Sequence, residues 1–374
     1  MLQTTEKFIL ESIRANSEDD LRDTLTSYYE IRCDIDWTKI AEKELSIAPY
    51  IYLKVKEYPG DFEIPEPMSE MIKWQYIQTV EKNEKIKKLI IALMKEFNEA
   101  QIELIPLKGA ALLFTLYQDD IGIRPMSDID ILVKKDDLSE AENILRHIGY
   151  IEYYEGWKRK GARDHYARHH FHYIYFKNQI LLELHWDIGH TSDISTLNIL
   201  FDSYDKLVIE ENELHILKPE CNIFISCNNF CREYLEGISL AQFKDECETN
   251  IYRILFFLYE TKKMLQYYGD KIGWDQFLLL LKSAKKEYKI ITLLVLAKKI
   301  ARADVPEIFL NKAKHNINVF MFILLCRRMR HDNVVGLLMV REIFLIHKRI
   351  LPLIKNPRRL IKKLYNTWGD WRQV

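Results

Sequence analysis

The chain has 374 residues, a length for two or three structural units, and 48% of them are hydrophobic, enough to bury a core. Its net charge of −1 supplies no global field toward nucleic acid, and no run of 18 uncharged apolar residues exists to cross a bilayer. The six cysteines lack paired zinc-finger spacing and the N-terminal stretch lacks the basic-then-apolar order of a signal peptide, so the expected compartment is a reducing cytoplasm.

Residues 1–58 read as helices, with apolar positions at helical spacing in Phe8, Ile9 and Ile13, then in Leu21, Leu25, Tyr28 and Tyr29. Asp36-Trp37 opens a further helix through Ile40, Ala41 and Leu45. The proline-rich stretch up to Pro67 is a loop, and 69–98 is one long amphipathic helix with Ile77, Val80, Ile86, Leu89, Leu93 and Phe97 near one face. Ile102 to Leu107 reads as a short strand, and Ala110 to Tyr117 has helical composition.

From Arg124 the chain runs Arg-Pro-Met-Ser-Asp-Ile-Asp-Ile-Leu-Val to Val133. Ile129, Ile131 and Val133 alternate with Asp128 and Asp130, the period of a half-buried strand. Asp128 and Asp130 then share a face, about 7 Å apart along the strand. Two neighbouring carboxylates repel, and a strand keeps such a pair cheaply only with a cation between them.

Asp137 with Glu140 three residues on predicts a capping box opening a helix to His147. Tyr150 to Tyr154 reads as a strand. His170 to Phe176 and Ile180 to Ile188 read as a hairpin joined by Lys177-Asn178-Gln179. In that register Glu183 faces away from Leu182 and Leu184, with His185 and Asp187 on its side. Between these elements, residues 157–172 form a basic, histidine-rich loop: Lys158, Arg159, Lys160, Arg163 and Arg168 stand against Asp164 alone, able to collect an anion or simply be solvated. From about 217 onward the chain reads as helices at 221–235, 250–268, 274–285, 289–303, 316–330 and 333–350. Cys227 and Cys231, one turn apart, read as buried free thiols. The basic tail 348–374, with Tyr365, Trp368 and Trp371 interleaved, is either a helix packed by its aromatic side or a contact for RNA or a membrane surface. The fold class is therefore α+β: a small mixed β-sheet core at 99–216 between helical regions at 1–98 and 217–374.

Three ordered pieces, Lys108-Gly109, Arg124 to Val133, and Glu183-Leu184-His185-Trp186, resemble a bacterial branch of the polymerase-β-type nucleotidyltransferase superfamily. That branch has Lys-Gly in place of the usual Gly-Ser. The resemblance implies a nucleotidyltransferase core that moves an NMP from an NTP, ATP in the first instance, to an acceptor hydroxyl or phosphate with loss of pyrophosphate. The acceptor is left open among a small molecule, a tRNA and a protein. The resemblance assigns Asp128 and Asp130 as ligands of two Mg²⁺ ions, with Mn²⁺ as a substitute. Glu183 is the third ligand or the general base, with His185 a near neighbour and Asp187 the alternative third ligand. Hard oxygen ligands suit Mg²⁺, and a two-metal site activates the attacking oxygen while holding the leaving group. Lys108 and Gly109 would grip the triphosphate, glycine by close backbone approach and lysine by charge. Arg124 would hold phosphate or brace the acids through a salt bridge to Asp128 or Asp130. A binding module that has lost catalysis and a kinase-like phosphotransferase on the same scaffold are the competing readings. All three acids being present weighs against the first, and the second would rest on those same acids.

Overall fold

The computed structural model describes residues 4–42, 47–57, 62–153, 172–188, 194–232 and 240–315. The N-terminal helices are α1 (Thr4–Arg14), α2 (Glu18–Tyr29), α3 (Trp37–Glu42) and α4 (Ala48–Lys56). Ser17 caps α2 by accepting from Asp20 N–H. Rings of Phe8, Tyr28, Trp37 and Phe62 meet at 5.4–5.9 Å and lock α1, α2 and α3 together.

Helix α5 (Met68–Glu99) buries Ile72, Thr79, Asn83, Ile86, Ile90, Leu93, Met94 and Phe97. The stripe is rotated from the expected one: Ile77 is exposed, and the polar Asn83 is fully buried. The chain then turns at Gln101, which adopts a positive φ, and Ile102 N–H closes back on Phe97 O at 2.9 Å. The helix has ended by Glu99, residues 102–104 belong to neither helix nor strand, and β1 is only Ile105–Pro106. Helix α6 (Lys108–Leu112) is shorter than the composition suggested, because Tyr117 N–H takes the Leu112 carbonyl at 2.8 Å and breaks the ladder.

Strand β2 (Asp128–Leu132) is followed by α7 (Leu138–His147), β3 (Ile151–Glu152), β4 (His172–Lys177) and β5 (Ile180–His185). The expected capping box does not form: Lys135–Asp137 already turn as a 3₁₀ segment, so Asp137 is helical and its side chain caps nothing. The β4–β5 hairpin turns through Asn178 and Gln179, both at positive φ, a two-residue turn whose twist matches its strands. The sheet order is β1-β2-β5-β4-β3, mixed because only β2 and β5 run parallel.

A second hairpin, β6 (Tyr204–Ile209) and β7 (Asn212–Leu217), follows α8 (Ile194–Phe201). It docks beside β1 through Glu103, which accepts from Tyr204, and through Asn98, which donates to Glu213 O. Helices α9 (Pro219–Phe230), α10 (Leu240–Tyr268), α11 (Trp274–Ser283), α12 (Glu287–Ala301) and α13 (Glu307–His315) complete the described chain. Cys227 and Cys231 are buried free thiols, while Cys33 is an exposed one. The expected helices at 316–330 and 333–350, the tail 348–374 and the loop 157–172, except His172, lie outside the described residues. No described helix is long and apolar enough to cross a membrane.

Candidate active site

The parallel register of β2 and β5 sets Asp130 opposite Glu183 and Leu132 opposite His185. The antiparallel register of β4 sets His172 opposite His185. By strand alternation Asp128, Asp130, Glu183, His185 and His172 all stand on one face of the sheet. The other face carries Ile129, Ile131, Leu182, Leu184 and Tyr175, the last donating to Glu142 on α7. Strand β2 is thus buried on both faces, not half-buried: Asp130 is 4% exposed beside Ile129 and Ile131 at 0%.

Two polar partners make that burial possible. Lys108 Nζ meets Asp130 Oδ1 at 2.6 Å, and His185 Nε2 meets the same oxygen at 2.9 Å. Lys108 gets there because Leu107 N–H donates to Asp130 O at 2.9 Å, extending the β1–β2 ladder, and because Lys108 itself takes φ +50°. A non-glycine residue in that left-handed region costs about 1 kcal/mol or more and signals a constraint from its surroundings. His185 also reaches Glu183 Oε2 at 3.1 Å, and His172 Nε2 lies 3.5 Å from Glu183 Oε1.

The charges are unequal in consequence. Burial opposes ionisation of Asp130, yet Lys108 and His185 hold its carboxyl well below the usual carboxylate range. Burial pushes Asp128 up to about 6, aided by the neighbouring charges of Asp130 and Glu183. Against burial, the His185 hydrogen bond lowers Glu183, and hydrogen bonds to Asp130 and Glu183 raise His185. Burial, then the charge of His185, lowers His172 to about 4. Among the described residues Asp128 accepts one side-chain hydrogen bond, from Ser127 Oγ at 3.0 Å, and Lys108 offsets its charge only in part, so it is the least compensated of the three acids.

Arg124 pairs with neither aspartate. Its Nε donates to Glu260 Oε1 on α10 at 2.6 Å, and Tyr117 Oη donates to the same oxygen at 3.2 Å. The guanidinium lies over Gly109: a Cβ there would stand 2.2 Å from Arg124 Nη1 and 2.4 Å from Met126 Sδ. Glycine at 109 therefore admits Arg124, whatever it does for a phosphate. Asn83 fixes the approach to β2 by donating to Ile121 O and Arg124 O at 2.5 and 2.7 Å. Sequence reading passed over Asn83 and Glu260; a polar residue inside an apolar helical stripe is the signal for both.

Lys108, Gly109, Arg124, Asp128 and Asp130 line one cleft of about 800 Å³. Its opposite walls are Trp74, Gln78 and Lys82 of α5, Asn222 and Ser226 of α9, and Arg253 and Phe257 of α10. Glu183 and His185 sit beside that cleft, joined to it through Asp130. Asp187 lies past the end of β5 and is buried. Asp128 and Asp130 offer an all-oxygen donor set, and the surplus negative charge at Asp128 fits a hard divalent cation such as Mg²⁺.

No curated protein matches the chain. Several solved structures are distantly alike. The solution structure of the antibiotic-resistance factor ANT(2'')-Ia is 13% identical, spans 55% of this chain and 94% of its own, and superposes with a TM-score of 0.34. The crystal structure of ANT(2")-Ia in complex with adenylyl-2"-tobramycin is 13% identical over 54% and 98%, with a TM-score of 0.31. An antigenic nucleotidyltransferase-like protein from Paracoccidioides brasiliensis is 14% identical over 54% and 93%, with a TM-score of 0.28. Likenesses at this level bear on neither site nor substrate. The family model described as uncharacterised nucleotidyltransferase matches residues 34–302, which spans the whole sheet and the cleft walls, and the chain belongs to that family.

Proposed function

We propose that this nucleotidyltransferase moves an NMP from an NTP, ATP in the first instance, to an acceptor hydroxyl or phosphate in an Mg²⁺-dependent reaction. The observation that carries the reading is the convergence of Asp128, Asp130 and Lys108 on one wall of a single cleft, with Glu183 joined to Asp130 through His185. Asp128 and Asp130 hold the metal, and Glu183 is the third carboxylate, as ligand or as the base that orients the acceptor oxygen. Magnesium, when bound, supplies Lewis-acid stabilisation of the charge that builds on the triphosphate.

In the reaction the acceptor oxygen bonds to the α-phosphorus, the α–β bridge breaks, and pyrophosphate leaves. Lys108 and Arg124 give the cleft positive charge where the triphosphate must lie, and Lys108 exchanges Asp130 for phosphate oxygens as the nucleotide enters. Preorganised charge in a site with little water is worth more than the same charge in solution. The α5, α9 and α10 wall, with its amides, Ser226 and Trp74, faces the acceptor. The acceptor class, small molecule, tRNA or protein, is what the experiment must find.

The test is labelled ATP in the presence of Mg²⁺. Label from the α-position on an acceptor, lost in Asp128→Ala and Asp130→Ala with the fold kept, supports the proposal. Label from the γ-position, or transfer by either variant at the wild-type rate, refutes it.

A further inference from the structure

We infer that His172, Glu183 and His185 form a second cation site, taking a borderline divalent transition-metal ion of the Zn²⁺, Fe²⁺ or Co²⁺ class. The inference rests on the reading above only for its neighbour, the oxygen site at Asp128 and Asp130.

Both histidines are more than nine-tenths buried, at 4% and 3% exposed, and both stand on strands, not loops. Buried imidazoles on paired strands hold their orientation, which is what a metal site needs from its scaffold. Their ligand-capable atoms converge. His185 Nε2 is 3.1 Å from Glu183 Oε2, and His172 Nε2 is 3.5 Å from Glu183 Oε1. The ring centres of the two histidines are 4.6 Å apart. One donor atom from each of the three residues lies within 4.8 Å of the others.

The edges are those of a coordination polyhedron. Two ligands about 2.1 Å from one ion are about 3.0 Å apart in an octahedron and about 3.4 Å apart in a tetrahedron. The two histidine–carboxylate contacts, made to the two different oxygens of Glu183, fall near these lengths, and 3.5 Å is long for a hydrogen bond. The three donor atoms, within 4.8 Å of one another, draw in onto one ion when it binds. Two imidazoles and a carboxylate with open positions select a borderline transition metal, whereas Mg²⁺ prefers oxygen alone. The sheet face thus presents two donor sets of different hardness side by side. Asp130, within 2.9 Å of His185 Nε2, is the acid through which they touch.

Glu183 serves both readings, so the two proposals separate at His172, which belongs only to the histidine site. Protein stripped with a chelator is titrated with Co²⁺ in the absence of nucleotide, following visible d–d absorption and dialysis stoichiometry. One equivalent is expected on the wild type and on Asp128→Asn. His172→Gln and the isosteric Glu183→Gln should each bind at least tenfold more weakly, the scale of losing a ligand or its support. Circular dichroism checks the fold, and His172→Asn takes the place of His172→Gln if that variant does not fold. Wild-type affinity in the folded variants, loss in Asp128→Asn instead, or no Co²⁺ uptake by the wild type overturns the inference. None of these outcomes touches transfer of α-label, which tests the other reading on its own.

Discussion

Asp128 carries charge that the fold does not neutralise. Its carboxyl is raised to about 6 by burial first and then by the Asp130 and Glu183 charges, against about 3.9 in an unfolded chain. A raised acid binds its proton more tightly in the folded state, so its favourable contribution is complete below about pH 4 and is lost as pH rises through about 6. Asp128→Asn should therefore stabilise the metal-free protein by about 1–3 kcal/mol at pH 7.5 and by little at pH 4.5. Thermal unfolding in chelator at the two pH values checks this, and an equal gain at both would contradict it. Mg²⁺ should stabilise the wild type and not the variant. Gly109 is constrained at the same scale. A Cβ would stand 2.2 Å from Arg124 Nη1, and Glu260 keeps that guanidinium from moving aside. Gly109→Ala should cost about 1–3 kcal/mol, the range for overpacking, and should weaken NTP binding by displacing Arg124. Urea unfolding and nucleotide titration measure the two effects, and an alanine variant as stable as the wild type would show that Arg124 is not held.

Between elements, the ion pair of Arg124 and Glu260 ties the approach to β2 to the middle of α10. Both side chains are largely buried, at 20% and 7% exposed. Removing one partner of a buried pair leaves a charge without compensation, so Glu260→Met should cost about 3–5 kcal/mol. Arg124→Met together with Glu260→Met should recover much of that loss while leaving nucleotide affinity low. A double-mutant cycle on urea unfolding reads the coupling, and additive losses would show that the pair is not a unit. Local order in this protein was legible where periodicity and turn chemistry agreed. The β2 alternation, the β4–β5 hairpin and the length of α5 follow from residues that sit side by side in the chain. The β6–β7 hairpin was not legible, because Glu210 and Glu211 turn it at positive φ and glutamate is no turn residue by composition. The rotation of the α5 stripe was also hidden. Asn83 belongs to that stripe only because carbonyls of Ile121 and Arg124 wait for it, and those lie some forty positions away. For the site, the sequence placed Asp128, Asp130, Glu183 and Lys108 near one another by motif order. It could not say that Lys108 would pair with Asp130, nor that Arg124 would turn to Glu260.

Over the whole molecule, α10 is the element that meets both flanks of the sheet. Tyr259 packs on Tyr50 of α4 with ring centres 4.3 Å apart, Glu260 takes Arg124, and Lys262 reaches the end of α1. Tyr259, Glu260 and Lys262, within one turn, thus tie the 217–374 region to the two that the sequence reading had set apart as 1–98 and 99–216. Lys262 is the clearest case. Its Nζ donates to the carbonyls of Ile13, Arg14 and Ala15 at 2.8, 3.0 and 2.9 Å, and the residue is 2% exposed. These are carbonyls of the last turn of α1, which have no partner within the helix and carry the negative end of its dipole. A buried ammonium with three carbonyl acceptors satisfies both needs at once. Arg14 adds a second tie by donating to Ile300 O of α12 at 2.7 Å. Lys262→Met keeps the packing of the stem and deletes the donors, leaving buried carbonyls without partners at a cost of about 1–3 kcal/mol. If the N-terminal helices and the C-terminal helices form one cooperative unit, that loss appears everywhere. Amides of α1 and of α12 should lose hydrogen-exchange protection by the same factor, about tenfold for each 1.4 kcal/mol. A loss confined to α1, with α12 unchanged, would instead mean that residues 1–98 open on their own and that the boundary at 98 is an energetic one.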